Sequence, residues 1–140
     1  MKKFVQQIVE QDTVYTLASN SDFSFVGSNL FSNPDGSPVP VWCFWSDKSS
    51  ADSNKKEDWE NYILDSFPLA NFIEDVLVPM TNEGHIVGIN FDESLTGVEA
   101  DPLDTLLEMI SEIKKRKINV ELEYFKNIED LEKQARKLMQ

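Results

Sequence analysis

Apolar positions switch between two periods along this chain, and the switches mark out its elements. Phe4, Val5, Ile8 and Val9 share one face of a helix over residues 3–10. Val14-Tyr15-Thr16-Leu17-Ala18, β-branched and aromatic, predicts a strand. Ser19-Asn20-Ser21-Asp22 turns the chain, and Phe23-Ser24-Phe25-Val26-Gly27 predicts the hairpin partner. Asn33-Pro34-Asp35-Gly36 is a second turn, because proline fixes φ and glycine tolerates positive φ. The run Val41-Trp42-Cys43-Phe44-Trp45 is apolar on both alternations, as in a strand covered on both faces. Pro38 and Pro40 put its start at an edge or at the entry to pairing.

Residues 46–58 are polar and read as a loop or a frayed helix, and Tyr62–Ser66 as a brief strand. Over residues 68–82 the helical period returns. Leu69, Phe72, Ile73, Val76, Leu77 and Met80 line one face, with Glu74 and Asp75 off it. Pro68 suits a first turn, whereas Pro79 is expected to kink or end the last one. Val87, Ile89 and Phe91 are in phase within a strand over 85–91, and 92–97 returns the chain. Asp101 and Pro102 open a helix with a stripe of Leu103, Leu106, Leu107, Ile110 and Ile113. Ile118, Val120, Leu122 and Tyr124 alternate with Asn119, Glu121, Glu123 and Phe125, as in an edge strand with one wet face or a helix continuation. A last helix carries Ile128, Leu131, Ala135 and Leu138. This order predicts an α+β fold, a small single domain with helices packed on a mainly antiparallel sheet.

Charge changes the picture of the surface. From Glu57 to Glu112 there are fourteen acidic residues and no Lys or Arg, while the remainder is close to neutral, giving a formal −12. Such asymmetry concerns partners rather than fold. It disfavours nucleic acid and anionic membranes and suits a basic protein. The one basic cluster, Lys114–Lys117, ends a helix, where cations complement exposed carbonyls. No stretch is apolar enough to span a bilayer. The N-terminus lacks a signal-peptide pattern and Cys43 is the single cysteine, so a cytoplasmic location is expected.

Several segments together resemble a small bacterial family, domain of unknown function twenty-seven fifty. They are Phe4, Val14-Tyr15-Thr16-Leu17, Pro40-Val41-Trp42, Trp59 with Tyr62, Leu69-Ala70-Asn71-Phe72, Leu77-Val78-Pro79-Met80, Val87-Gly88-Ile89-Asn90 and Leu95-Thr96-Gly97. The resemblance covers residues 4–113. It implies a stand-alone α+β protein and supplies no catalytic residue. On this basis residues 1–117 form the family-like core, and 118–140 a C-terminal strand and helix extension packed on the same domain.

Candidate chemistry is sparse. Cys43 reads as a small buried hydrophobe and His85 as a partly exposed strand-start residue. One His and one Cys do not make a zinc site, and no phosphate-binding glycine loop exists, so no cofactor and no metal are expected. Asp92, Glu93, Glu99, Asp101 and Asp104 crowd the Gly97 turn without the calcium-loop pattern, and a solvated acidic face is the ordinary reading. Asp65, Glu74 and Asp75 could make an acid–base pair only if the fold converged them. The remaining lead is aromatic. Most of Trp42, Phe44, Trp45, Trp59 and Tyr62 read as core; in the functional alternative Trp45, Trp59 or Tyr62, left partly exposed beside Asp92, Glu93 and Glu99, would anchor a protein interface. The expectation is a non-enzymatic acidic module that binds a basic protein, in the manner of an immunity protein masking a toxin. The alternatives are a small-molecule binder or enzyme with a pocket near Cys43, Tyr62 or His85, and a homo-dimer paired through the 118–125 strand or the last helix.

Overall fold

The computed structural model describes residues 1–20 and 22–139. Helix α1 (Lys2–Gln11) buries Phe4, Val5, Ile8 and Val9, as its period requires. Asp12, in a left-handed conformation at φ 52°, stops it and accepts a hydrogen bond from the Leu69 amide at 3.0 Å, so the end of α1 caps the start of a later helix. Strand β1 (Val14–Ser19) pairs with β2 (Asp22–Phe23) and β5 (Ile63–Phe67) in a three-stranded antiparallel sheet. The turn expected at Ser19–Asp22 includes Ser21, outside the described residues, and the pair Ser19–Asp22 flanks it.

The hairpin partner is shorter than expected. At Ser24 the chain leaves β2 and continues as β3 (Phe25–Ser32) in a second sheet of order β3-β4-β6-β7, with β4 (Pro38–Phe44), β6 (Ile86–Ile89) and β7 (Val98–Ala100). Only β4–β6 is parallel. Pro38 and Pro40 precede Val41, where pairing with β6 begins, so their missing donors cost no ladder bond there. Gly36, at φ 88°, closes the β3–β4 turn. β7 falls where no strand was expected; three residues are too few for a period to register.

β4 is covered on both faces. Phe44 joins a large core with Val14, Val87, Ile89 and the buried faces of α1, of the helix over 69–83 and of α4 (Pro102–Arg116). Val41, Cys43 and Trp45 point the other way into a smaller core with Leu17, Ala51, Trp59 and Phe91, closed by α2 (Lys48–Asp52) and a 3-10 turn (Glu57–Trp59). The polar 46–58 stretch thus forms a lid of two short helical turns.

Pro79 does not end its helix, which runs on to Glu83. α3 begins as an α turn (Leu69–Asn71), widens to a π-helix (Phe72–Leu77) and returns to α (Val78–Glu83). In the widened turn the Val78 amide bonds the Ile73 carbonyl, five residues back, so the proline enters at the beginning of a new α turn, where it is tolerated. The same widening corrects the placement of Glu74. Expected off the buried face, it is buried, and its two oxygens accept the Glu123 and Tyr124 amides at 2.7 and 2.6 Å.

Those bonds replace the strand expected over Ile118–Phe125. No strand forms there; the segment runs from the end of α4 to α5 (Ile128–Lys137) as irregular chain. Its alternation was a correct sign of one-sided burial, since Val120 and Leu122 pack on the core, but the phase breaks at Tyr124, exposed, and Phe125, half-buried. Self-pairing of a 118–125 strand loses its basis. α5 docks through Ile128, Leu131 and Ala135, with Leu138 exposed instead of buried, and Lys114 of α4 bonds Glu132 at 2.8 Å. No helix among the described residues is long and apolar enough to cross a membrane.

Glu74→Ala is expected to cost about 1–3 kcal/mol by leaving two amides without their acceptor. Hydrogen exchange should quicken at Glu123 and Tyr124 before the sheet is affected. The hydrogen bond from Lys114, then that from Arg136, holds the Glu132 carboxyl below its ordinary 4.5. Its stabilisation is therefore complete above that value and fades as pH falls through the lowered one. Acid titration followed by exchange should release α5 at a higher pH in wild type than unfolds the sheet, and Lys114→Met should remove part of that pH dependence.

Candidate functional site

The aromatic candidates do not stand where the interface reading needs them. Trp45 is fully buried and donates its indole N–H to the Phe91 carbonyl at 2.8 Å. Trp59 is 6% exposed and meets Trp45 edge to face, 6.2 Å between centroids. Both are core residues of the smaller face, as the core reading of the aromatics expects, and the alternative in which they stay exposed at an interface loses its basis. Tyr62 is half-buried against the same core.

The carboxylates are dispersed. Asp92 accepts the Ser94 and Thr96 amides at 2.9 and 3.0 Å and so builds its own turn. Glu93 pairs with Lys56 at 3.0 Å across exposed surface. Glu99, on β7, reaches over Gly88 to accept the Ser28 hydroxyl at 2.6 Å. Asp101 caps α4 through the Leu103 and Asp104 amides. Among the described residues no three Asp, Glu, His or Cys side chains gather closely enough to hold a metal ion. Glu74 is committed to backbone amides, so the trio Asp65, Glu74 and Asp75 supplies no free pair through it.

Burial, and secondarily the charge of Glu99, pushes the Cys43 thiol up to about 12, so it stays protonated at neutral pH. Ser28 donates to Glu99 while accepting the Leu30 and Phe31 amides, which leaves its oxygen occupied. His85 accepts the Trp42 indole N–H on Nδ1 at 2.9 Å, so its neutral ring carries its proton on Nε2.

What the fold does assemble is an open recess of about 100 Å³ at the edge of β3. Phe25, Val26, Trp59 and Leu95 supply the apolar lining, and Glu57, Asp58 and Glu93 the charged one, with Lys56 beside them. Phe25 and Leu95 are about half exposed, at 48% and 47%. Phe25 also lies against Trp42, centroids 4.8 Å apart. Of the sequence candidates, Trp59 and Glu93 belong to this recess; Trp45, Tyr62, Asp92 and Glu99 do not line it. Phe25 was read as strand interior. The signal for Leu95 was present, an apolar residue within the polar turn Asp92-Glu93-Ser94-Leu95-Thr96-Gly97; the structure holds it at φ 60°.

Residues 1–110 match the model of a family described as Protein of unknown function (DUF2750). The chain belongs to this family. No curated protein and no solved structure matches it. The DUF2750 match takes in both sheets, α3 and the lined recess, while α5 and the segment that Glu74 holds lie beyond it.

In the folded protein, Cys43 is expected to resist a thiol reagent such as dithionitrobenzoate at pH 8 and to react stoichiometrically once denatured. Rapid native reaction would overturn the buried, protonated thiol.

Proposed function

We propose that this DUF2750 protein is a non-enzymatic binding module whose acidic surface engages a basic protein partner, in the manner of an immunity protein that masks a toxin domain. One observation carries the reading: half-exposed Phe25 and Leu95 sit in a recess bordered by Glu57, Asp58 and Glu93. Apolar anchors inside a charged rim are the arrangement from which protein interfaces draw affinity, and the rim charge sets encounter rate and partner choice. The surplus of acid is local: residues 57–112 contain no Lys or Arg, and Lys56, paired with Glu93, is the one cation lining the recess against three carboxylates. At about 100 Å³ this recess is well below the roughly 300–1,000 Å³ of pockets that enclose small ligands and suits contact with a partner's side chain; a larger opening of about 430 Å³ lies elsewhere, beside His85.

Affinity capture from the native host's lysate at two salt concentrations tests the proposal, with wild type beside Phe25→Ala and Glu93→Lys. The expected result is one stoichiometric basic protein, weakened by salt and lost from both variants. Truncating a central aromatic anchor should cost roughly tenfold or more in affinity. Equal retention by wild type and variants, or indiscriminate retention of basic proteins, would refute it.

A further inference from the structure

A second recess, of about 150 Å³, opens on the other side of the Phe25–Trp42 pair. Phe23, Trp42 and Met80 contribute its apolar lining, and Asp22, Asp75 and Glu83 its carboxylates. No Lys or Arg lines it. Trp42 is held on two sides, by Phe25 at 4.8 Å and by the hydrogen bond to His85, whose own ring lies 5.9 Å from the indole. The indole ring is thereby positioned before any ligand arrives, in a wall that carries three negative charges.

We infer that this recess takes the guanidinium of an arginine side chain. The inference rests on the reading of the acidic face as a protein-binding surface and names the side chain that the partner inserts. Three features choose arginine. A tryptophan face attracts a cation within about 6 Å of the ring centroid, and more strongly when water is excluded. The recess supplies three carboxylates and no Lys or Arg, and the Nδ1 of its one histidine, His85, is taken up as acceptor of the Trp42 indole N–H, so its charge calls for a cation from outside. The carboxylates do not converge as metal ligands do. Spread acceptors around an aromatic wall suit a planar, forked donor that stacks and bonds in several directions, rather than a metal ion or a compact ammonium. Asp75 is partly steadied, its Oδ2 accepting from Asn71 at 3.1 Å, while Glu83, 3.4 Å from the His85 Nδ1 that already accepts the Trp42 indole N–H, gains no hydrogen bond there and stays available to a donor.

The test uses the full chain, labelled with nitrogen-15, and follows the three tryptophan indole N–H signals, with Trp42→Phe as the assignment control. N-acetyl-arginine amide is the probe, and the citrulline analogue its neutral isostere. The Trp42 signal is expected to shift saturably with the arginine compound and not with citrulline. Binding should weaken roughly fivefold with each of Asp75→Asn and Glu83→Gln, the loss of one exposed charge pair. The buried Trp45 and Trp59 signals should stay in place and so report an intact fold in each variant. An unmoved Trp42 signal, or an equal shift with citrulline, overturns the inference. The two readings fail separately. Probe binding without any captured partner supports the recess and removes the protein-binding reading. A partner retained equally by Asp75→Asn and Glu83→Gln keeps the protein-binding reading and overturns the recess as its arginine subsite.

Discussion

The crossing of two strands at Tyr15 and Trp45 is the constraint on which the rest of the molecule depends. Tyr15 and Trp45 exchange both backbone hydrogen bonds, at 2.9 and 2.8 Å, and so join the three-stranded sheet to the four-stranded one. Ser24 extends the seam: its amide bonds the Leu17 carbonyl on one side, and its carbonyl accepts the Cys43 amide on the other. Thr16 adds a hydroxyl bond to the Cys43 carbonyl at 2.8 Å. Tyr15 is half-buried and the other residues of the seam are buried, where an unmade backbone bond is most costly. One price is visible, the Ser24 hydroxyl, which is buried without a partner among the described residues.

Because the seam bends the sheet, β4 is central to two cores and each side chain of its apolar run has a separate task. Phe44 faces the helices, Trp45 and Cys43 face the 46–62 lid, and Trp42 emerges near the margin of the first face. That division links the fold to the surface. With Trp45 and Trp59 packed edge to face inside the lid, the aromatic contribution to the exterior passes to Phe25 and Trp42, which are cross-strand partners on β3 and β4. The two recesses flank this one pair, so the register of β3 against β4 sets both.

The acid-rich stretch has two physical roles. Asp92 and Asp101 spend their charge on turn and cap amides, and Glu74 on the chain beyond α4. Glu57, Asp58, Asp75, Glu83 and Glu93 remain at recess margins, and only Glu93 among them has a lysine partner, Lys56, in the described residues. Mutual repulsion of such charges destabilises the folded chain slightly and is relieved by a cationic partner. Glu74 stands apart: it belongs to the family-matched part of the chain, yet it anchors a segment that lies outside it.

Much of the fold was legible because periodicity is a local property. Phe4 to Val9, the Leu106–Ile113 stripe and the double-sided β4 run each declared their burial through spacing alone, and Asp101 and Gly36 declared a cap and a turn through their own backbone chemistry. The departures occurred where a distant group settled the matter. Glu74 took the amides that a strand over 118–125 would have used, a π turn absorbed Pro79, and the lid enclosed Trp45 and Trp59. Thus the sequence by itself determined the class of fold, most elements and the concentration of acid over residues 57–112. Which aromatics meet water, which carboxylates stay free and which residues share a recess were decided only by tertiary structure, because exposure and proximity depend on what the rest of the chain places alongside, and no local pattern records that.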